Sequence, residues 1–278
     1  MSAARLTAPP RTTAPRLTVE ANQTHLWVIG TEWAGEHPEH MVTGELDDRE
    51  RERAAAFVRP LDRLTYLMAH IALRRLLTAY TGIPPAELPL GRDTCPCCGG
   101  PHGRPVLHGT GVHFSLSHSH GIALISIASA PLGVDVQRVP TLETVELCLP
   151  ELHPAEQEEL NALAEAERPL AFGRLWTRKE AYFKALGTGL GRELNSDYLG
   201  ERTDPDAPAR PRGWRIENMP SCPAHVAAVA VVTPPCASAP AAAAPLDILA
   251  RRLPTECLYT DDATERIAAE RQVCPSWE

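Results

Sequence analysis

The chain has 278 residues, 44% of them hydrophobic and 22% charged, with a formal net charge of −8. That balance suits a globular protein of one or two domains, and the acidic total argues against a nucleic-acid binder held by phosphate neutralisation. No stretch approaches the roughly 20 unbroken apolar residues of a membrane helix. A soluble cytoplasmic protein is therefore expected, with no nucleic-acid or membrane partner. Eight cysteines in a chain whose start lacks the apolar core of an export signal read as reduced thiols.

Residues 1–20, rich in Pro, Thr and Arg, read as a disordered leader. A strand is predicted at 24–29. Residues 47–80 form a helical region in which Leu64, Leu67, Met68, Ile71 and Leu76 recur at helical spacing. Gly82, Pro84 and Pro85 stop it. Six arginines, at positions 51, 53, 59, 63, 74 and 75, make the candidate basic patch that an anionic ligand would need in so acidic a chain. Residues 91–111 read as a structured loop. Strands are predicted at 113–116, 122–128 and 133–137, and an acidic helix at 150–168. A clear helix follows at 172–186, with Phe172, Leu175, Tyr182 and Leu186 as its apolar stripe and Gly187 and Gly189 at its end. Further strands are expected at 214–216 and 225–232. The Ala/Pro run at 234–245 reads as a linker, and the tail to 278 carries no usable motif.

Five constellations bear chemistry. On a strand, Asp135 and Gln137 share one face. Two oxygen ligands on a rigid edge suit Mg²⁺, although the same alternation marks the solvent side of a half-buried strand. Glu180 and Lys184 lie one turn apart on a helix face, able to hold a metal and a phosphate together or to form an ordinary i,i+4 surface pair. Ser117 and His118 sit in a run of hydroxyls and imidazoles that can donate to phosphate oxygens, or that forms a polar turn. No G-x-S-x-G elbow accompanies them, which argues against a serine hydrolase. Gly103-Arg104-Pro105 offers a phosphate fork or a solvated arginine. Finally, Cys95-x-x-Cys98 with His102 has zinc-ligand spacing, against the alternative of a loop of reduced thiols.

The order and spacing of these pieces say more than each piece alone. Gly-Arg-Pro, Ser-His, Gly-Val-Asp-Val-Gln and Trp-x-x-Lys-Glu-Ala-x-x-Lys, with Glu180 45 positions after Asp135, resemble the motif series of the Sfp-type 4'-phosphopantetheinyl transferases over residues 24–232. The resemblance implies an α+β fold of two similar halves forming a pseudo-dimer. Residues 21–130 would be the coenzyme A side, residues 131–233 the Mg²⁺ and carrier-protein side, and 234–278 a linker and tail outside the family pattern. It implies a monomer that moves phosphopantetheine from coenzyme A to a carrier serine and releases 3',5'-ADP. Asp135 and Glu180 would hold Mg²⁺, with Glu180 also taking the serine proton and Lys184 steadying the pyrophosphate. Arg53, His102, Gly103, Arg104, Pro105, Ser117 and His118 would contact coenzyme A. Gln137 departs from the pattern, standing where many members have a third acid, so its metal contact would be weak or through water. The carrier is expected near residues 142–175, where Leu147, Leu149, Leu152 and Leu160 serve as contact surface or core. Two rivals make different predictions. A coenzyme A acyltransferase with His118 as base would consume a thioester without Mg²⁺, and a zinc-stabilised interaction module would turn nothing over.

Overall fold

β1 (Gln23–Gly30) is buried along nearly its whole length, and its alternation sets the architecture. Trp27 and Ile29 point into one core while Leu26 and Val28 point into another, because successive side chains leave a strand on opposite faces. A strand so placed lies in a sheet covered on both sides. The computed structural model describes residues 16–31, 40–220, 224–233, 247–260 and 263–270.

After β1, a capping box of Asp47 and Glu50 opens α1 (Asp48–Ala55). The long α2 (Pro60–Thr81) follows. A short hairpin pairs β2 (Leu90–Arg92) with β3 (Pro105–Leu107), so the segment expected to be only a loop is a loop held on two strands. β4 (His113–Ser119) and β5 (Ile122–Ala128) then build on β1 in the order β4-β5-β1. The second unit runs β6 (Leu132–Arg138), α3 (Leu142–Cys148), α4 (Pro154–Asn161), α5 (Arg168–Leu186), β7 (Trp214–Met219) and β8 (His225–Val232). Its sheet has the order β6-β8-β7. Strand, long helix, then two strands with the last one central thus occurs twice, with antiparallel pairing throughout both sets of three.

The two sheets face each other through Leu26, Val28, Leu124, Val134, Val136 and Val229. α2 covers the outer face of the first sheet and α5 that of the second, which gives four layers. Where the sheet edges meet, three serines of β4 span the corner. Val134 N donates to Ser115 Oγ at 3.0 Å, Val136 N to Ser117 Oγ at 3.3 Å and Arg138 N to Ser119 Oγ at 3.3 Å. The hydroxyls supply the partners that a strand edge would otherwise lack. The serines recur at every second position, so this run is strand and not the polar turn expected after 116.

Other expectations shift as well. Residues 16–20, expected within the leader, lie along α2. Leu17 N donates to Ala79 O at 3.0 Å, and Leu17 and Val19 pack on the core. Residues 1–15 lie outside the described residues, as does the whole Ala/Pro linker at 234–245. The tail is not featureless: β9 (Asp247–Arg252) adds to β1 in parallel, and α6 (Thr264–Ala269) contributes Ile267 to the first unit's core. The six-arginine patch is broken up, because Arg74 and Arg75 are buried and paired with Glu50 and Glu45. Leu152 and Leu160 are core, Leu149 is partly buried, and Leu147 is 79% exposed on α3. No helix among the described residues is long and apolar enough to cross a membrane.

Candidate active site

α5 reaches β6 more closely than most helices approach a sheet, and Gly133 permits it. A Cβ at position 133 would stand 2.0 Å from Ala181 O and 2.6 Å from Ala185 N. With no side chain there, the helix backbone rests on the strand. The next residue on the same face of β6 is Asp135, and the α5 residues flanking the contact are Glu180 and Lys184.

Asp135 is 1% exposed. Its Oδ1 accepts from Lys184 Nζ at 2.6 Å and from Ser117 Oγ at 2.7 Å, and its Oδ2 accepts from Gln137 Nε2 at 3.3 Å. Lys184 Nζ also donates to Val134 O at 3.1 Å, so the ammonium is anchored on β6 from one helical turn beyond Glu180. Burial pushes the Glu180 carboxyl above its ordinary value, and the negative charge of Asp135 adds to this while Lys184 opposes it. Two carboxylates that repel each other, beside an amide and in reach of an ammonium, form an oxygen-rich donor set that fits a hard divalent cation. Ser117 stands behind Asp135: its hydroxyl donates to the carboxylate and accepts from Val136, away from the cleft wall.

Beside this cluster a cleft of about 670 Å³ opens between the units, within the size range of small-molecule sites. Lys184, Arg104, His118, Arg49, Arg92 and His70 line it. The lining acids Asp47 and Glu50 are both engaged by Arg74. The wall is thus locally basic in a chain of net charge −8, which favours an anionic ligand. Arg104 pairs with Asp93 at 3.0 Å and donates to Ala185 O at 3.2 Å, tying the hairpin to the end of α5. Its buried Nε has no hydrogen-bond partner among the described residues. Gly103 and Pro105 flank it on the same wall. His118 meets the edge of Tyr66 at 6.1 Å, and burial, aided by His70 and Lys184, holds its imidazole below the usual value. His102 reaches the cleft rim with Nε2 2.9 Å from Cys98 Sγ. Arg53 does not line the cleft. It is exposed, lies over Phe57 at 5.3 Å, and its charge reaches His118.

A second depression of about 580 Å³ lies between α4 and α5. It lacks Lys184, the member of the Asp135–Glu180–Lys184 cluster that lines the cleft between the units, so that cleft is the candidate site. Sequence reasoning missed Arg49, His70 and Arg92, which no motif marks. It also passed over Lys179, which sits inside the Trp-x-x-Lys-Glu motif yet is fully buried. Its Nζ pairs with Glu156 at 2.8 Å and donates to Leu194 O and Asp197 O. Within one motif, then, Lys179 anchors α4 to α5 while Lys184 faces the cleft.

Residues 131–228 match the model of the 4'-phosphopantetheinyl transferase superfamily, a span that contains Asp135, Glu180 and Lys184. Over that span the chain is similar to that superfamily. It is 28% identical to the 4'-phosphopantetheinyl transferase HetI of Nostoc sp. over 226 residues, covering 78% of this chain and 91% of that protein. It is 26% identical to the transferase gsp of Aneurinibacillus migulanus, covering 54% of this chain and 60% of that one. A 4'-phosphopantetheinyl transferase of Bacillus subtilis is 25% identical, with 59% and 69% covered. The alternatives of an unrelated acyltransferase or a bare interaction module leave this match unaccounted for.

Proposed function

We propose that the chain transfers the 4'-phosphopantetheine arm of coenzyme A to a serine of an apo carrier protein, releasing 3',5'-ADP. The observation that carries this reading is the convergence of Asp135, Glu180 and Lys184 beside a basic cleft that Lys184 lines. Phosphoryl transfer asks a protein for positioning and charge neutralisation more than for covalent help.

Each residue then has a task. Arg104 and His118 hold coenzyme A phosphates along the cleft wall, with Gly103 and Pro105 shaping the approach and Arg53 adding positive charge from outside the cleft, within reach of His118. Glu180, its carboxyl raised by burial, takes the proton from the carrier serine as the serine oxygen attacks the phosphorus next to pantetheine. Lys184 bears the charge that builds on the departing 3',5'-ADP as the pyrophosphate bond breaks. Ser117 and Gln137 orient Asp135. Asp135 and Glu180 would hold Mg²⁺, with Gln137 offering its amide oxygen directly or through water, and the ion would supply positive charge to the pyrophosphate oxygens.

The repeated connectivity supports reading the two units as halves of a pseudo-dimer within one chain, with a monomer as the working state. Leu147 on α3 and Leu170, 41% exposed at the start of α5, offer apolar contacts to the carrier. The test is mass spectrometry of several apo carriers incubated with coenzyme A and Mg²⁺. Addition of one phosphopantetheine mass is expected, and Glu180→Gln should slow it by roughly 10²–10⁴-fold. Consumption of acyl-coenzyme A without Mg²⁺, and no addition to any carrier, would favour the acyltransferase instead.

A further inference from the structure

The tip of the β2–β3 hairpin holds a cluster that the chemistry above does not use. Cys95 Sγ, Cys98 Sγ and a ring nitrogen of His102 all lie within 4.8 Å of one another. Two thiols three apart and an imidazole four further on are ligands suited to a borderline-soft ion of tetrahedral preference.

The loop backbone is folded around these side chains. Cys95 N donates to Gly100 O at 2.7 Å and Gly99 N to Cys95 O at 2.8 Å, which closes the turn on itself. A Cβ at position 100 would stand 2.9 Å from His102 Cδ2 and 3.3 Å from Cys98 Sγ, so it would push the imidazole out of its place beside the thiols. Cys95 is buried while Cys98 and His102 face solvent, so one ligand is rooted in the protein and the outer side is open to water.

We infer that Cys95, Cys98 and His102 bind one Zn²⁺, with a water as fourth ligand on the solvent side. Binding converts both thiols to thiolates and releases their protons to solvent. The site lies two residues from Arg104, and Cys97 lies 3.8 Å from where a Cβ of Gly191 would be. The ion therefore fixes the loop that carries the cleft-lining Gly103 and Arg104 against the end of α5.

The test uses the full-length protein, purified under reducing conditions, stripped with a chelator and titrated with Co²⁺. One equivalent should produce the intense visible absorption of tetrahedral cobalt and a thiolate-to-cobalt charge-transfer band, both abolished by Zn²⁺, which displaces cobalt. Cobalt held by Asp135 and Glu180 would be oxygen-ligated and give no thiolate band, so the two sites are read separately. Zn²⁺ at a 100-fold excess over Kd should raise Tm by roughly 5–10 °C. Cys98→Ser, at an exposed position that should leave the fold intact, should lose the band and the Tm shift. Glu180→Gln should keep both while losing carrier modification. Absence of a thiolate band in the wild-type protein, or its persistence in Cys98→Ser, would overturn the assignment.

Discussion

Replacing Gly133 by alanine adds a single methyl group at the point where β6 and α5 touch. The new Cβ would lie 2.0 Å from Ala181 O and 2.6 Å from Ala185 N, where ordinary contact begins at 3.4 Å. Both obstacles are helix backbone, so no side chain can swing aside. α5 must retreat by roughly 1 Å, and a misplacement of that size costs about 10²-fold in rate. Lys184 and Glu180 ride on the same helix, so the retreat pulls the ammonium away from Asp135. Overpacking of this kind costs about 1–3 kcal/mol, which lowers Tm by roughly 3–10 °C in a protein of this size. The assay pairs a thermal melt with the rate of carrier modification, measured well below the variant's Tm so that unfolding does not enter. A variant with wild-type melting and wild-type rate would show that α5 does not rest on β6 at this point, and the account of how the site is assembled would fail.

Three further outcomes are expected. Without Mg²⁺, Glu180→Gln should melt above wild type near neutral pH. A folded-state carboxyl raised above its unfolded value contributes stability that is present below the unfolded value of about 4.3 and lost as pH rises through the folded one. The variant's advantage should thus vanish in acid, and a pH-independent difference in Tm would refute the reasoning. Gln137→Glu puts a third carboxylate beside Asp135, so it should lower the Mg²⁺ concentration needed for half-maximal rate, and an unchanged Mg²⁺ dependence would mean that position 137 does not face the ion. Lys179→Met strands the buried Glu156 carboxylate and should cost about 3–5 kcal/mol in denaturant unfolding. Adding Glu156→Gln should recover part of the loss, because a neutral amide keeps the acceptor for Leu199 N, whereas a single variant as stable as wild type would contradict the pairing.

Much of this molecule is legible from local pattern. The strand at 225–232 has the bounds expected from its run of small and β-branched residues, and the helix ending at Leu186 is the one its apolar stripe predicts. Period and punctuation are properties of neighbouring residues, so a linear reading can find them. The spacing of Asp135 from Glu180 was likewise visible, and with it the candidate chemistry. Sequence pattern put Lys184 on the helix face of Glu180, but it could not foresee what becomes of Lys179, five positions earlier in the same motif. Lys179 turns into the α4–α5 packing, and only the placement of Glu156 reveals that. Nor could pattern foresee that Asp247 would pair beside Gln23, that Arg74 and Arg75 would be spent on buried carboxylates, or that the serines of β4 would satisfy the edge of β6. Each of these depends on contacts between residues distant in the chain, and distant contacts are set by which apolar faces bury one another when the two sheets close.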